Sequence, residues 1–243
     1  MKRTAIFLLA LMLMLVLTAC GPATQPENTG PATQPSTQVL TETTEPSTQP
    51  TAESTEPVTQ PQEESPRLGS YADGVYSNDY LGVKCTLTEE FTVATKEELA
   101  QLNGVVAGAM SDQDLAQQLL KSGVAHAFYA IADEGLVTIN IAVENLGLIY
   151  GTLLDEESYV EHSIGQLPAA LKSMGLVDIK TEAVSLTLAG KEHAGVTVHG
   201  TLSGVDFYEK LVCIKNGSYM TVVTVGSYYE DITDYLLSLF SAI

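Results

Sequence analysis

The amino-acid sequence predicts an α+β domain over residues 67–243, in which one antiparallel β-sheet is sandwiched between helices. Helix-start signals at Thr95 and Ser111 are each followed three residues later by an acidic side chain. Several other segments have the composition of strands, and in one of them Val137, Ile139, Ile141 and Val143 share one face at period two. The last two such segments meet at Asn216-Gly217, a strong hairpin signal, and are apolar on both faces. A sheet of this kind needs a cover on both sides, and helices are available for it.

The first elements follow from turn and cap residues. The start of the domain predicts two short strands with a turn at Ser77 to Asp79, the second strand ending near Leu87. A short helix begins after Thr95 and stops at Gly104, and a second begins after Ser111 and stops at Gly123, since glycine favours the end of a helix.

The middle of the domain predicts two strands and a long helix. The strands cover 124–132 and 136–144 and are joined by Asp133-Glu134-Gly135. The helix covers 156–174 because its apolar residues recur every three and four positions. Pro168 should kink this helix or restart it.

The last third predicts three or four strands and a closing helix. The strands cover 178–189, 193–202, 206–215 and 218–226. A two-residue loop at Asn216-Gly217 places Cys213 opposite Met220. The closing helix runs from Tyr229 to about Ser241.

The amino terminus predicts a lipoprotein signal peptide over residues 1–19. Lys2 and Arg3 precede an apolar run that is too short to span a membrane comfortably, since about 20 apolar residues are needed. The run ends in Leu-Thr-Ala-Cys at Cys20, which closely resembles the lipobox of bacterial lipoproteins. The resemblance implies cleavage between Ala19 and Cys20 and a diacylglycerol, with further acylation such as palmitate, on Cys20. Two or three acyl chains anchor a protein where one holds it weakly. An ordinary signal peptide with a chance cysteine is the alternative.

Residues 20–66, from the lipidated cysteine onward, predict a disordered tether rich in Thr, Pro, Gln and Glu. The segment contains no Lys, Arg or aromatic residue and very few large apolar residues. It therefore has too little apolar surface to offset its chain entropy. As a flexible coil it spans roughly 40 Å. We interpret it as a spacer through a cell wall, with a sugar-carrying stalk as the alternative. The expected location is the extracytoplasmic face of the cell membrane of a Gram-positive bacterium.

The charge excludes several partners. The chain carries a net charge of −19, and the part from Arg67 onward contains 23 acidic and nine basic residues. Nucleic-acid binding requires clustered Lys and Arg, so no nucleic-acid partner is expected. An electrostatic grip on anionic lipid is disfavoured for the same reason. The membrane is therefore a partner through the Cys20 lipid alone.

The order of elements resembles a known family. A leading hairpin reads YLGVKCTLTEEF, a later turn LTLAGKEHAGVTV, the last hairpin YEKLVCIKNGSYMTVVTV, and the end LLSLF. This is similar to the PsbP-like α/β/α sandwich of photosystem II extrinsic proteins and of many small bacterial lipoproteins, over most of 76–240. The family start continues into a Pro-Gly-Trp-like turn, whereas this chain has Thr88-Glu89-Glu90-Phe91 and no Trp. The resemblance implies a binding or scaffolding domain and transfers no active site.

No catalytic or metal-binding pattern is evident in the sequence. The four histidines are His126, His162, His193 and His199, and none has the spacing of a zinc site. The acidic run Asp155-Glu156-Glu157 is interpreted as favouring the positive end of a helix rather than as a calcium site. We therefore expect no metal and no cofactor, and whether the protein is an enzyme is left open.

Tyrosine supplies the candidate binding surface. Two groups flank the domain, and together they comprise Tyr71, Tyr76, Tyr80, Tyr228 and Tyr229. Tyrosine is favoured at recognition surfaces, although it is also common in strands and at core edges.

Two functional hypotheses result. The first is a lipid-anchored binding or accessory protein acting on an extracellular protein, peptide or glycan. The second is a cell-surface hydrolase whose catalytic groups meet only in the fold. The two remaining thiols, Cys85 and Cys213, lie within apolar strands, and we expect them to be buried and unpaired rather than bridged.

Overall fold

The computed structural model describes residues 65–105 and 108–243, and the structural statements below concern these residues. The predicted signal peptide, Ala19, Cys20 and the tether up to residue 64 lie outside the described residues. Within the described part, no helix is long and apolar enough to cross a membrane.

The described residues form eleven strands and six helices. The strands are β1 (Ser70–Ala72), β2 (Val75–Asn78), β3 (Val83–Thr86), β4 (Thr92–Val93), β5 (Val124–Ala132), β6 (Val137–Asn145), β7 (Leu176–Leu188), β8 (Lys191–Leu202), β9 (Val205–Asn216), β10 (Tyr219–Tyr228) and β11 (Phe240–Ala242). The helices are α1 (Lys96–Leu102), α2 (Asp112–Ser122), α3 (Gly147–Leu153), α4 (Glu156–Ile164), α5 (Leu167–Ser173) and α6 (Thr233–Ser238).

The strands make two antiparallel sheets, and the α+β class predicted from the sequence is confirmed. The large sheet has the order β4-β5-β6-β10-β9-β8-β7. A small sheet, not expected from the sequence, has the order β1-β2-β3-β11. On β9 the two faces alternate, so Val212 belongs to one core cluster and Cys213 to the other. Helices α1 and α2, together with the small sheet, pack on the Val212 side, whereas α4 and α5 pack on the Cys213 side.

The first two helices begin at the predicted residues. Thr95 and Ser111 each accept a hydrogen bond from the backbone N–H three residues later, and their own backbone N–H groups donate to the carboxylates of Glu98 and Asp114. These reciprocal bonds satisfy amide groups that have no partner within the helix. Gly123 ends α2 with a φ of 78°, a conformation that glycine adopts without a side-chain clash.

The predicted long helix is two helices. Helix α4 ends at Ile164, and α5 begins after Gln166 with Pro168 in its first turn. The proline ring would clash with the carbonyl four residues earlier, which belongs to Ile164, so the helix restarts instead of continuing.

The predicted turn at Ser77 to Asp79 is wrong by about two residues. Ser77 pairs with Lys84 inside the β2–β3 ladder, and the chain turns after Asn78. An additional turn at Asp73-Gly74 separates β1 from β2, with Gly74 at φ 79°. The start of the domain is therefore a three-stranded meander and not a single hairpin.

The register predicted for the last hairpin is also wrong. Asn216 pairs with Tyr219, so the loop is Gly217-Ser218 and Cys213 lies opposite Val222. Gly217 has a positive φ of 56°, whereas the φ of Ser218 is not positive. A two-residue loop with glycine first and a positive φ there alone matches a type II′ turn. Because the shift is two residues, each side chain keeps its predicted face.

The closing helix is shorter than predicted. Helix α6 ends at Ser238, and Phe240 to Ala242 form β11, which pairs with β3. The backbone N–H of Thr86 donates to Leu239 O at 3.0 Å. The apolar residues at the end of the chain have helical spacing, but pairing with the open edge of β3 places them in a strand. Tertiary contacts commonly override local preference in short segments.

Both remaining thiols are free and buried, as the sequence predicts. Burial raises the pKa of Cys85 to about 12, and it also raises the pKa of Cys213, to which the charges of Glu156 and Glu144 add. In a chain carrying Cys20→Ser, we expect neither thiol to react with a labelling reagent while the protein is folded. Both should react in denaturant without reductant. Labelling that requires prior reduction would show a disulfide instead.

Candidate functional site

Helix α3 is an exposed apolar helix that the sequence analysis did not identify. Its side chains Leu148, Ile149 and Leu153 are 86%, 70% and 71% exposed, and Tyr150 is 49% exposed. We call these four residues the α3 face. Single exposed leucines are ordinary on protein surfaces, but a contiguous exposed group of large apolar side chains marks interaction sites.

Two residues of the α3 face lie opposite the surface through which the helix is held. At 3.6 residues per turn, Ile149 and Leu153 lie on the side of α3 that faces away from Gly151. A β-carbon at Gly151 would come within 2.8 Å of Ser218 Cα, so the bare glycine backbone packs directly on the β9–β10 turn. The side chains of Ile149 and Leu153 therefore point away from the sheet, and all four residues of the α3 face are exposed.

Four hydrogen bonds fix α3 in place. Lys215 Nζ donates to Gly151 O at 2.7 Å, and it also donates to Gly217 O. Leu146 N donates to Ser218 O at 2.9 Å, and Gly147 N donates to Asn145 Oδ1 at 2.9 Å. A short helix is marginal by itself in water, so these tertiary contacts hold its conformation. The exposed face is thus a preorganised surface.

Gly151→Ala is expected to displace α3. The new methyl group would approach the Ser218 backbone within 2.8 Å, closer than real β-carbons come to other atoms, so the helix or the turn must move. Overpacking of this kind costs about 1–3 kcal/mol in unfolding free energy. Denaturant unfolding measures the cost, and hydrogen exchange of α3 amides should become faster. Gly165→Ala is the matched control, because Gly165 has a helical φ of −65° and no atom near its β-carbon position.

The acidic residues Asp155 and Glu156, which follow α3, have different roles at the start of α4. Asp155 caps the helix, since its Oδ1 accepts from Ser158 N at 2.8 Å, and these hydrogen bonds lower the pKa of Asp155. The predicted helix-start role of the acidic run is thereby observed for Asp155. Glu156 instead reaches the sheet, a role that no pattern in the sequence indicates.

Glu156 binds two strands at the point where their ladder ends. Pairing between β8 and β9 stops at Gly195–Val212. Beyond it, Glu156 Oε1 accepts from Lys215 N at 2.9 Å, and Oε2 accepts from Ala194 N at 3.3 Å. His193 Nδ1 lies 3.0 Å from Oε1. One carboxylate thus satisfies backbone amides on both strands and attaches α4 to them.

An open cleft of about 330 Å³ adjoins this carboxylate. Glu157, Glu161, Glu192 and His193 contribute to its lining. Ser185, the one hydroxyl among the lining residues, donates to Glu192 at 2.5 Å and not to His193. Ser185 therefore does not complete a Ser-His-acid triad with the His193–Glu156 pair. The His193–Glu156 pair orders the strands.

The other histidines lie apart from this pair. His126 is largely buried, and burial lowers its pKa to about 4. The ring of His199 stacks on Tyr208 at 4.8 Å, and its Nε2 lies 3.6 Å from Asp206 Oδ1. Within residues 65–105 and 108–243, no group of three or more His, Cys, Asp or Glu residues is placed to hold a metal ion.

The five candidate tyrosines do not all present exposed rings. Tyr76 and Tyr80 are 1% and 5% exposed. Tyr76 packs on Phe128 with ring centroids 4.1 Å apart and donates to Leu68 O, and Tyr80 donates to Asn216 O at 3.3 Å. These contacts are those of core and core-edge residues.

The remaining tyrosines lie on different elements. Tyr71, on β1, is 43% exposed and lines a cleft of about 370 Å³ with Tyr76 and Phe91. Tyr228 pairs with Phe207 on the large sheet, and Tyr229 is 66% exposed just after β10. A binding role for Tyr71 and Tyr229 stays a prediction.

The chain resembles known proteins at the level of solved structures alone. No family model matches it, and no curated protein matches it. Thirteen chains among solved structures match, and one is the crystal structure of LpqN, described as involved in cell envelope biogenesis of Mycobacterium tuberculosis. Its identity is 11% and its TM-score 0.35, and the match covers 65% of this chain and 82% of LpqN. The PsbP-like resemblance therefore stays a prediction.

One sequence signal would have located α3. Nine residues from Leu146 to Leu154 carry no charge and lie between a strand and a predicted helix start. A run of this length is ambiguous between core and surface, because periodicity alone does not report burial.

Proposed function

We propose that the chain is a lipid-anchored, extracytoplasmic accessory protein that works by binding a partner through the α3 face. The observation that carries the proposal is the exposure of Leu148, Ile149 and Leu153 on a helix that is fixed to the sheet. The lipobox at Cys20 and the tether supply the location in this proposal. A binding or scaffolding role also agrees with the PsbP-like resemblance.

The physical basis of binding is the apolar area of the α3 face. Burying apolar surface contributes roughly 25 cal/mol per Å², and a surface that is already ordered loses little entropy on binding. The hydrolase alternative has less support, because the His193–Glu156 pair holds backbone amides and Ser185 donates to another residue.

The anchor is tested with Cys20→Ser. We expect this variant to incorporate no radiolabelled palmitate and to leave the membrane fraction, or to remain as uncleaved precursor, because the acyl chains supply the membrane affinity. Wild-type chain should be labelled and membrane-bound. A Cys20→Ser chain that is cleaved yet still partitions into detergent like wild type would overturn the lipobox interpretation.

The binding role is tested by photo-crosslinking in intact cells. A photoreactive residue at Ile149 should give a discrete adduct on the full chain, whereas one at Ile243, which is 62% exposed near the carboxyl terminus, should not. Adding Leu148→Ser and Leu153→Ser should abolish the Ile149 adduct. An adduct at both positions, or at neither, would contradict a specific role for the α3 face.

A further inference from the structure

The α3 face has an acidic border. This inference rests on the proposed function and concerns the chemistry of the partner. Asp155 and Glu157 follow α3 within four residues and are exposed, and Glu161 follows one helical turn later and is also exposed. Glu157 and Glu161 line the same cleft as Glu192. Exposed carboxylates thus follow the apolar surface directly along the chain, on its carboxyl-terminal side.

Lys215, the cation that contacts α3, does not neutralise the negative charge of this border. Lys215 donates its ammonium group to Gly151 O and Gly217 O, under the helix. The run from Leu146 to Leu154 contains no charged residue. A partner that covers the α3 face therefore meets an uncharged apolar centre and a negative edge.

We propose that the α3 face binds a polypeptide helix with an apolar stripe flanked by lysine or arginine. Helix α3 spans two turns, about 10 Å, so a stripe of similar length on the partner suffices. Apolar side chains at three- and four-residue intervals pack against such a face. The flanking cations complement Asp155, Glu157 and Glu161, which fixes the orientation and disfavours anionic partners.

Two other occupants fit less well. In a symmetric pair of this chain, the same patch meets itself, and because α3 carries no cation, the acidic border of each copy gains no oppositely charged partner from the facing helix. An anionic lipid surface repels the same carboxylates, and amphipathic helices that bind such surfaces carry Lys and Arg on their polar face, which α3 lacks. The charge pattern thus selects a cationic polypeptide.

The test measures peptide binding by fluorescence anisotropy. The protein is the mature-length chain from residue 20, carrying Cys20→Ser so that detergent is unnecessary. The probe is an amphipathic helical peptide of leucine and lysine, about 18 residues long so that it forms a helix. A leucine–glutamate peptide with the same pattern is the comparison. We expect the lysine peptide to bind at least about tenfold more tightly, with the difference shrinking at high salt.

Substitutions test the apolar part and the acidic part of the binding surface separately. Leu148→Ser with Ile149→Ser should weaken lysine-peptide binding about tenfold or more, whereas Ile243→Ser should not. Glu157→Gln with Glu161→Gln should weaken it a few-fold and flatten its salt dependence. Glu89→Gln with Glu90→Gln, both exposed in the loop between β3 and β4, removes the same charge elsewhere and should have little effect. Because all these side chains are exposed, melting temperatures should stay unchanged.

The outcomes distinguish the inferred cationic partner from the proposed accessory role. Equal binding of the two peptides, still dependent on Leu148 and Ile149, overturns the cationic partner and leaves the accessory role. Lysine-peptide binding that ignores Leu148→Ser with Ile149→Ser overturns both. Concentration-dependent dimerisation lost in that variant, or binding to phosphatidylglycerol vesicles lost in it, would replace the helical partner with a second copy or with the membrane.

Discussion

Replacing Glu156 by glutamine is expected to lower the free energy of unfolding by about 3 kcal/mol. The Glu156 carboxylate accepts hydrogen bonds from Lys215 N and Ala194 N and contacts His193 Nδ1, at the end of the β8–β9 ladder. Glutamine has nearly the same volume but replaces one acceptor oxygen with a donor, so a backbone amide loses its partner. Hydrogen bonds to charged groups contribute about 1.5–3 kcal/mol each, and an unsatisfied buried donor costs about 1–3 kcal/mol.

Denaturant unfolding measures this loss, and Glu157→Gln is the matched control. Glu157 lies one residue further along α4 and is exposed, so its replacement should change the unfolding free energy by less than about 0.5 kcal/mol. We also expect amides near Ala194 and Lys215 to exchange faster in the Glu156→Gln variant. Equal stability of the two variants would show that Glu156 does not hold the strands.

Replacing Glu209 by glutamine is expected to stabilise the protein at neutral pH by about 3 kcal/mol. Glu209 is 3% exposed on β9, opposite Val198 and Gly226, and its Oε2 has no hydrogen-bond partner. Burial raises the pKa of Glu209 from 4.5 to about 8. A buried charge without a partner is strongly disfavoured, so the folded protein keeps the proton.

The sign of the effect follows from the two pKa values. Between pH 4.5 and about 8, the unfolded chain has released the proton of Glu209 that the folded chain retains. Rising pH therefore favours the unfolded state across this range, and the penalty at pH 7 is about 3 kcal/mol. Glutamine carries no ionisable proton, so Glu209→Gln removes the penalty and the associated pH dependence. Below pH 4.5 the variant and wild type should have similar stability.

Urea unfolding at several pH values tests this prediction. The stability difference between Glu209→Gln and wild type should grow from near zero at pH 4 to its full size by pH 8. Glu182→Gln is the control, because Glu182 is an exposed carboxylate on the edge strand β7, two strands away from β9. A pH-independent difference would mean that Glu209 ionises normally in the folded protein.

Most of the fold could be predicted because its signals are local. The capping boxes at Thr95 and Ser111 depend on residues three positions apart, and both helices begin where the sequence predicts. Period-two alternation located the strands of the large sheet except β4, within a few residues. Pro168 divided the long helix for a reason that is also local, namely its clash with the carbonyl of Ile164.

Most of the candidate site could not be predicted in the same way. Glu156 was interpreted as a helix-start residue, and yet its partners Ala194 and Lys215 lie 38 and 59 residues away. The tyrosines were grouped by sequence neighbourhood, but burial separated Tyr76 and Tyr80 from the surface. The uncharged run that forms α3 became an exposed surface because Gly151 packs on the β9–β10 turn.

The sequence by itself determined the α+β class, the starts of α1, α2 and α4, and the faces to which residues of β6, β9 and β10 belong, because these depend on neighbours within about four positions. Only the tertiary structure decided that Phe240 lies in a strand, that Glu156 joins β8 to β9, and that the α3 face remains exposed. In each case the deciding partner is an open strand edge, an unpaired amide or a turn that is remote in the chain. Such partners exist only after the sheet has formed, so no local pattern specifies them.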